Sequence, residues 1–132
     1  MKLCIQGNSL RLRLSQSEVS QFSKTGFVED SIQFAPGRSF AYTLESLSKL
    51  SAPQALYANG WLRIQLPRAD ATAWACSDRV AITGDQTLQS GQRLAILIEK
   101  DFQCVHGDQD PDAYPNPLEE VASEPSFSEP RP

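Results

Sequence analysis

The chain has 132 residues, 40% of them hydrophobic and 21% charged, with a formal net charge of −4. This is the composition of one globular domain with a modest core. No uninterrupted apolar run approaches the roughly 18 residues of a membrane-spanning helix, and the opening MKLCIQGNSL is too polar for a signal peptide, so a cytoplasmic setting is expected. The charge is unevenly spread. Residues 1–103 hold eleven Lys or Arg against nine Asp or Glu, a net of +2, whereas residues 104–132 hold seven acids and only Arg131, a net of −6.

In chain order, Lys2 to Gln6 reads as a short strand, and Gly7-Asn8 as a tight hairpin turn. Ser9 to Leu14 follows with apolar and basic residues alternating, the period of a strand with one buried face. Ser15 and Glu18 have the spacing of a capping box, so a helix is expected from Gln16 to about Lys24, with Val19 and Phe22 on its apolar face and Gly26 as its left-handed cap. Phe27 to Phe34 and Ser39 to Leu44 are the next strands, turned by Pro36-Gly37.

A connector, Ser46 to Gln54, leads to the strand Ala55 to Ala58. Asn59-Gly60, a strong hairpin signal, then turns into the strand Trp61 to Leu66. Pro67 suits the first turn of a helix reaching about Cys76. Arg79 to Thr83 is expected to be a strand, Gly84 to Gln92 a polar loop, and Arg93 to Glu99 the most apolar strand. Its LAILI run lacks alternation and is expected to be central and covered on both faces.

Each half thus reads strand, strand, helix, strand, strand. At a spacing of 52, Leu10 matches Leu62, Arg11 matches Arg63, Leu14 matches Leu66 and Val28 matches Val80, while Phe22 falls on Trp74. Beyond a two-residue insertion, expected between the last two strands, Gly37 meets Gly91, Ala41 meets Ala95 and Glu45 meets Glu99. The register favours a tandem duplication, with halves 1–50 and 53–103 forming one α+β domain. Residues 104–132 carry six of the nine prolines and few apolar residues, and from 118 onward are expected to be a disordered acidic tail.

The stretch GNSLRLRLSQSEVSQFSKTGFVEDSIQF resembles the swapped-hairpin DNA-binding domains of the AbrB and MazE antitoxin type. Gly7-Asn8-Ser9 matches their opening and Arg13 their strand arginine, while in the second half Pro67 supplies the helix-start proline and Gln65 stands in place of the arginine. The resemblance implies two interleaved halves in a small barrel, here a fused pseudo-dimer and therefore a monomer. The whole chain also resembles a small uncharacterised bacterial family in which GNS-RLRL opens the protein and EKDF with FPNP or YPNP closes it, here Glu99 to Phe102 and Tyr114 to Pro117. That family implies no activity.

Candidate contacts follow from the same residues. Arg11, Arg13 and Arg63 lie opposite the leucines and are expected to point to solvent together; with Asn8 and Ser9 they are the candidate contacts to nucleic acid or to a partner. A body charge of +2 joined to a −6 tail supports tight DNA binding poorly. Cys104-x-His106 is too short to specify zinc alone, and although Asp108, Asp110, Asp112 and Glu119 have the acid spacing of a calcium loop, Ala113 replaces the needed glycine. Cys4, Cys76 and Cys104 read as reduced thiols. One histidine, no phosphate-cradling glycine loop and no nucleophile–base pair speak against catalysis. The expectation is a non-enzymatic binding module without cofactor or metal, binding a protein partner in preference to DNA.

Overall fold

The structure, a computed structural model, describes residues 1–101. The expected acidic tail, Cys104, His106 and the aspartates near them lie outside the described residues. Among the described residues, two four-stranded sheets and two helices make an α+β fold. The elements are β1 (Lys2–Gln6), β2 (Ser9–Leu14), α1 (Gln16–Thr25), β3 (Phe27–Ala35), β4 (Arg38–Leu47), β5 (Gln54–Ala58), β6 (Trp61–Pro67), α2 (Arg68–Ala75), β7 (Ala81–Thr87) and β8 (Arg93–Lys100).

Local chemistry places most of these boundaries. Glu18 N donates to Ser15 Oγ (3.4 Å) and Ser15 N to Glu18 Oε1 (2.9 Å), closing the capping box at the start of α1. Gly26 takes φ 75° and ends the helix, its N–H donating to the Phe22 carbonyl. Asn59 and Gly60 both have positive φ, the requirement of a type I′ hairpin turn. β7 continues four residues further than expected, because its ladder follows β8 as far as Thr87 opposite Arg93. Its polar sequence, GDQT, hides that pairing.

The strand order is β1-β2-β8-β7 in one sheet and β3-β4-β6-β5 in the other. The first hairpin of each half therefore joins the last hairpin of the other, through the parallel pairs β2–β8 and β4–β6. Leu10 lies beside Ile96 as Leu62 lies beside Tyr42, and Arg13 beside Glu99 as Gln65 beside Glu45.

The register also pairs different residues from those that the 52-residue spacing matches. Val28 sits opposite Leu44, and the residue opposite Ile98 is Ile82, not the Val80 matched by sequence. Val28 and Ile82 are buried whereas Val80 is 46% exposed. The connection between α2 and β7, Cys76 to Val80, is longer than that between α1 and β3, which is Gly26 alone.

One core draws on both sheets and both helices. Leu12, Leu14, Leu44, Ile64, Leu66, Ile98 and Trp74 are fully buried in it. Phe22 of α1 and Trp74 of α2 meet edge to face at 6.2 Å, and the Trp74 indole N–H donates to the Val80 carbonyl. β8 is central in its sheet, as expected, but buries one face only: Ile96 and Ile98 are inside, Ala95 is exposed and Leu97 partly so. LAILI lacks alternation because both of its faces carry apolar residues, not because both are covered.

The two sheets do not close into the expected barrel. Where β5 approaches β7, the link is a side chain, Ala55 N–H donating to Gln86 Oε1 (2.8 Å), and Pro53 packs against Gly84 instead of offering an N–H. A Cβ at residue 84 would lie 2.9 Å from two Pro53 ring carbons. Gly84→Ala must therefore push the sheets apart and is expected to cost about 1–3 kcal/mol, measured by urea denaturation. An unchanged midpoint would show that this edge is loosely packed.

Candidate contact surface

The five residues singled out by sequence divide between the two sheets. Asn8, in the β1–β2 turn, hydrogen-bonds through its side-chain amide to the Arg93 carbonyl (2.6 Å), and its own carbonyl accepts from Ala95 N–H (3.1 Å). It thus fastens the turn of one half to the last strand of the other. At the matching place in the second sheet, Gly60 O accepts from Ala41 N–H, and a Cβ on Gly60 would come within 3.0 Å of the Ser39 carbonyl. Only glycine fits there.

Ser9 and Arg11 lie on the outer face of the first sheet, along a shallow groove of about 360 Å³ shared with Cys4, Gln6, Asp85 and Leu97. Arg11 and Arg13 converge on one carboxylate, that of Glu99: Arg13 Nε donates to Glu99 Oε2 at 2.7 Å, and Arg11 Nε lies 3.3 Å from the same oxygen. Arg63 is on the other sheet. Its guanidinium makes a two-point pair with Glu45, Nε to Oε2 and Nη2 to Oε1, both 3.0 Å. The three arginines are thus not one solvent-facing group, since two carboxylates hold them on separate sheets.

The Glu45 cluster is the more enclosed. Glu45 and Gln65 are buried and Thr43 is fully so. Thr43 Oγ1 donates to Glu45 Oε2 (2.8 Å) and Gln65 Nε2 to Glu45 Oε1 (3.0 Å), while Gln65 Oε1 accepts from Gln54 Nε2 (2.6 Å). Burial pushes the Glu45 carboxyl up, but the hydrogen bonds from Arg63, Gln65 and Thr43 and the Arg63 charge outweigh it and hold the group below its usual range. Gln65, which departs from the arginine of the resembled motif, occupies the register position of Arg13 and serves the equivalent acceptor.

A second surface escaped the sequence reading. Phe34 is 72% exposed, Tyr57 65% and Ile32 50%. Ile32 lies opposite Phe40, and the Phe40 ring is 6.4 Å from that of Tyr57 and 6.0 Å from that of Tyr42. These residues carry the tips of the β3–β4 and β5–β6 hairpins. On the far side of the second hairpin, Trp61 and Leu56 edge a groove of about 380 Å³, with the Arg63 guanidinium stacked 4.6 Å over the Trp61 ring. The signal for the first of these faces was present in Ile32 and Phe34, apolar residues two apart that follow Asp30, beyond the buried end of the strand at Val28.

A family model described as "Family of unknown function (DUF7009)" matches residues 1–118. The chain belongs to that family. The match takes in GNS-RLRL, EKDF and YPNP, the elements that sequence reading assigned to an uncharacterised family. No curated protein and no solved structure matches the chain. In this DUF7009 chain no helix is long and apolar enough to cross a membrane, and among the described residues no three His, Cys, Asp or Glu side chains gather as metal ligands. Cys4 and Cys76 are free, exposed thiols.

Proposed function

We propose that this chain is a non-enzymatic protein-interaction module, meeting a partner that offers apolar side chains through the hairpin tips bearing Ile32, Phe34, Phe40 and Tyr57. The observation that carries this reading is the exposure of large apolar and aromatic side chains on adjoining hairpins, a feature typical of interaction surfaces. The alternative is an AbrB- or MazE-like DNA-binding regulator. Against it stands the pairing of each candidate arginine with a carboxylate, since an arginine that must leave Glu99 or Glu45 to meet a phosphate gains little. We also read the twice-repeated strand-strand-helix-strand-strand order as a duplicated swapped-hairpin unit, a pseudo-dimer in one chain that is monomeric in solution. The support is the matched pairing of β2 with β8 and of β6 with β4.

Affinity capture from the source cell, comparing the natural chain with Phe34→Glu and Tyr57→Glu, tests the reading. Both sites are exposed, so stability should change by about 0.5 kcal/mol or less, while a partner held by the natural chain should be lost. Gel retardation of genomic fragments by residues 1–103 at low salt, abolished by replacing Arg11 and Arg13 with Ala, would establish the DNA-binding alternative instead.

A further inference from the structure

We infer that the crossing of α1 and α2 carries a binding site for a small oxyanion, a phosphate group or an ion of its size, on one side of the helix pair only. A cavity of about 180 Å³ opens there between the end of α1 and the start of α2. Phe22 and Ala71 form its buried apolar floor. The last turn of α1 from Ser23 to Gly26, which includes Lys24, lines the rest together with Ser46, Arg68 and Thr72. Neither Lys24 nor Arg68 has an ion-pair partner among the described residues, in contrast to Arg11, Arg13 and Arg63. Two cations, with the hydroxyls of Ser46 and Thr72 among those that line it, surround a space that admits several waters, each with a share of about 30 Å³, and suit an anion rich in acceptor oxygens.

The other side of the helix pair shows what fills such a space. Ser46 N–H donates to the Gly26 carbonyl, and Lys100 N–H donates to the Val80 carbonyl. Ser46 lies beside Leu66 as Lys100 lies beside Leu14. Ser46 and Lys100 are therefore equivalent places in the two halves. The Lys100 side chain crosses the Trp74 ring with its ammonium 5.7 Å from the centroid, and donates to the Ser77 carbonyl at 2.7 Å. Ser46 is too short to reach across Phe22 in that way, and Ala71 stands where the other helix has the larger Val19. The cavity is the place that a lysine occupies in the other half, left open and bordered by positive charge.

The test is an NMR titration of the full chain with inorganic phosphate and with sulfate, at ionic strength held constant with chloride. Saturable shifts are expected for the amides of Ser23 to Gly26 and Arg68 to Thr72, with Arg68→Ala weakening binding about tenfold, as loss of one charge-assisted contact does. Ser46→Lys should abolish the shifts by placing a side chain in the cavity as Lys100 does. Should that variant not fold, Lys24→Gln with Arg68→Gln serves the same purpose, since both residues are on the helix surface. Linear shifts that chloride reproduces, or shifts that persist in Ser46→Lys or in the double variant, would overturn the assignment.

Discussion

A peptide of residues 1–50 is expected to remain unfolded on its own, and so is one of residues 53–103. In isolation the first would keep β1 against β2 and β3 against β4, two separate hairpins, and lose both parallel ladders, β2–β8 and β4–β6. Of the fifteen buried apolar residues among those described, seven would remain, among them Leu12, Leu14 and Leu44, which are fully covered only when the second half is present. A lone hairpin is marginal in water, and a chain of about fifty residues buries too little surface to offset its conformational entropy. Mixed in equal amounts, the two peptides should associate and fold, because the cut falls in the connector between β4 and β5 and severs no ladder. Circular dichroism and amide dispersion would follow both steps. A cooperatively melting monomer formed by residues 1–50 alone would refute the interlocked arrangement.

Much of this was legible because it is local. The capping box needs only Ser15 and Glu18, and the type I′ turn needs only Asn59 and Gly60. Arginine pairing was not legible, because Glu99 lies 86 positions from Arg13 and meets it only across the parallel β2–β8 ladder. Alternation places Arg11 and Arg13 on the face opposite the leucines; it is silent on which strand supplies the neighbouring side chain. The match of Glu45 with Glu99 was the available clue, since a repeated acid beside each repeated arginine strand suggests a repeated ion pair. The match of Val28 with Val80 misled for a related reason. Val28 and Val80 are the same residue, and identity outweighed the burial that only the β7–β8 register reveals. The apolar tips lay in plain sight, in a strand whose pattern runs on beyond the core that usually explains such a pattern.

Those two glutamates give the sharpest quantitative expectation, since equivalent places in the two sheets should respond differently to the same substitution. Glu45→Ala removes the acceptor of Thr43, which is fully buried, and of Gln65, which is 4% exposed. Neither can turn to water, whereas Arg63, with 39% of its side chain exposed, can. Leaving two buried donors unsatisfied should cost about 2–4 kcal/mol at neutral pH. Glu99→Ala instead removes the carboxylate that Arg11 and Arg13 share, and their side chains, 45% and 28% exposed, can be hydrated, so its cost should be about 1 kcal/mol or less. Urea denaturation of both variants checks the order, and equal costs would show that burial does not distinguish the clusters. The pH dependence follows from the lowered Glu45 group. Its stabilising contribution is complete above the usual carboxylate value of 4.5 and is lost as the pH falls through the lower value of the folded state. Glu45→Gln should accordingly flatten the acid limb of the stability profile, even though it destabilises at pH 7 by turning an amide N–H₂ toward Arg63 or Gln65. If the variant lost stability toward acid as steeply as the natural chain, other carboxylates would be setting that limb.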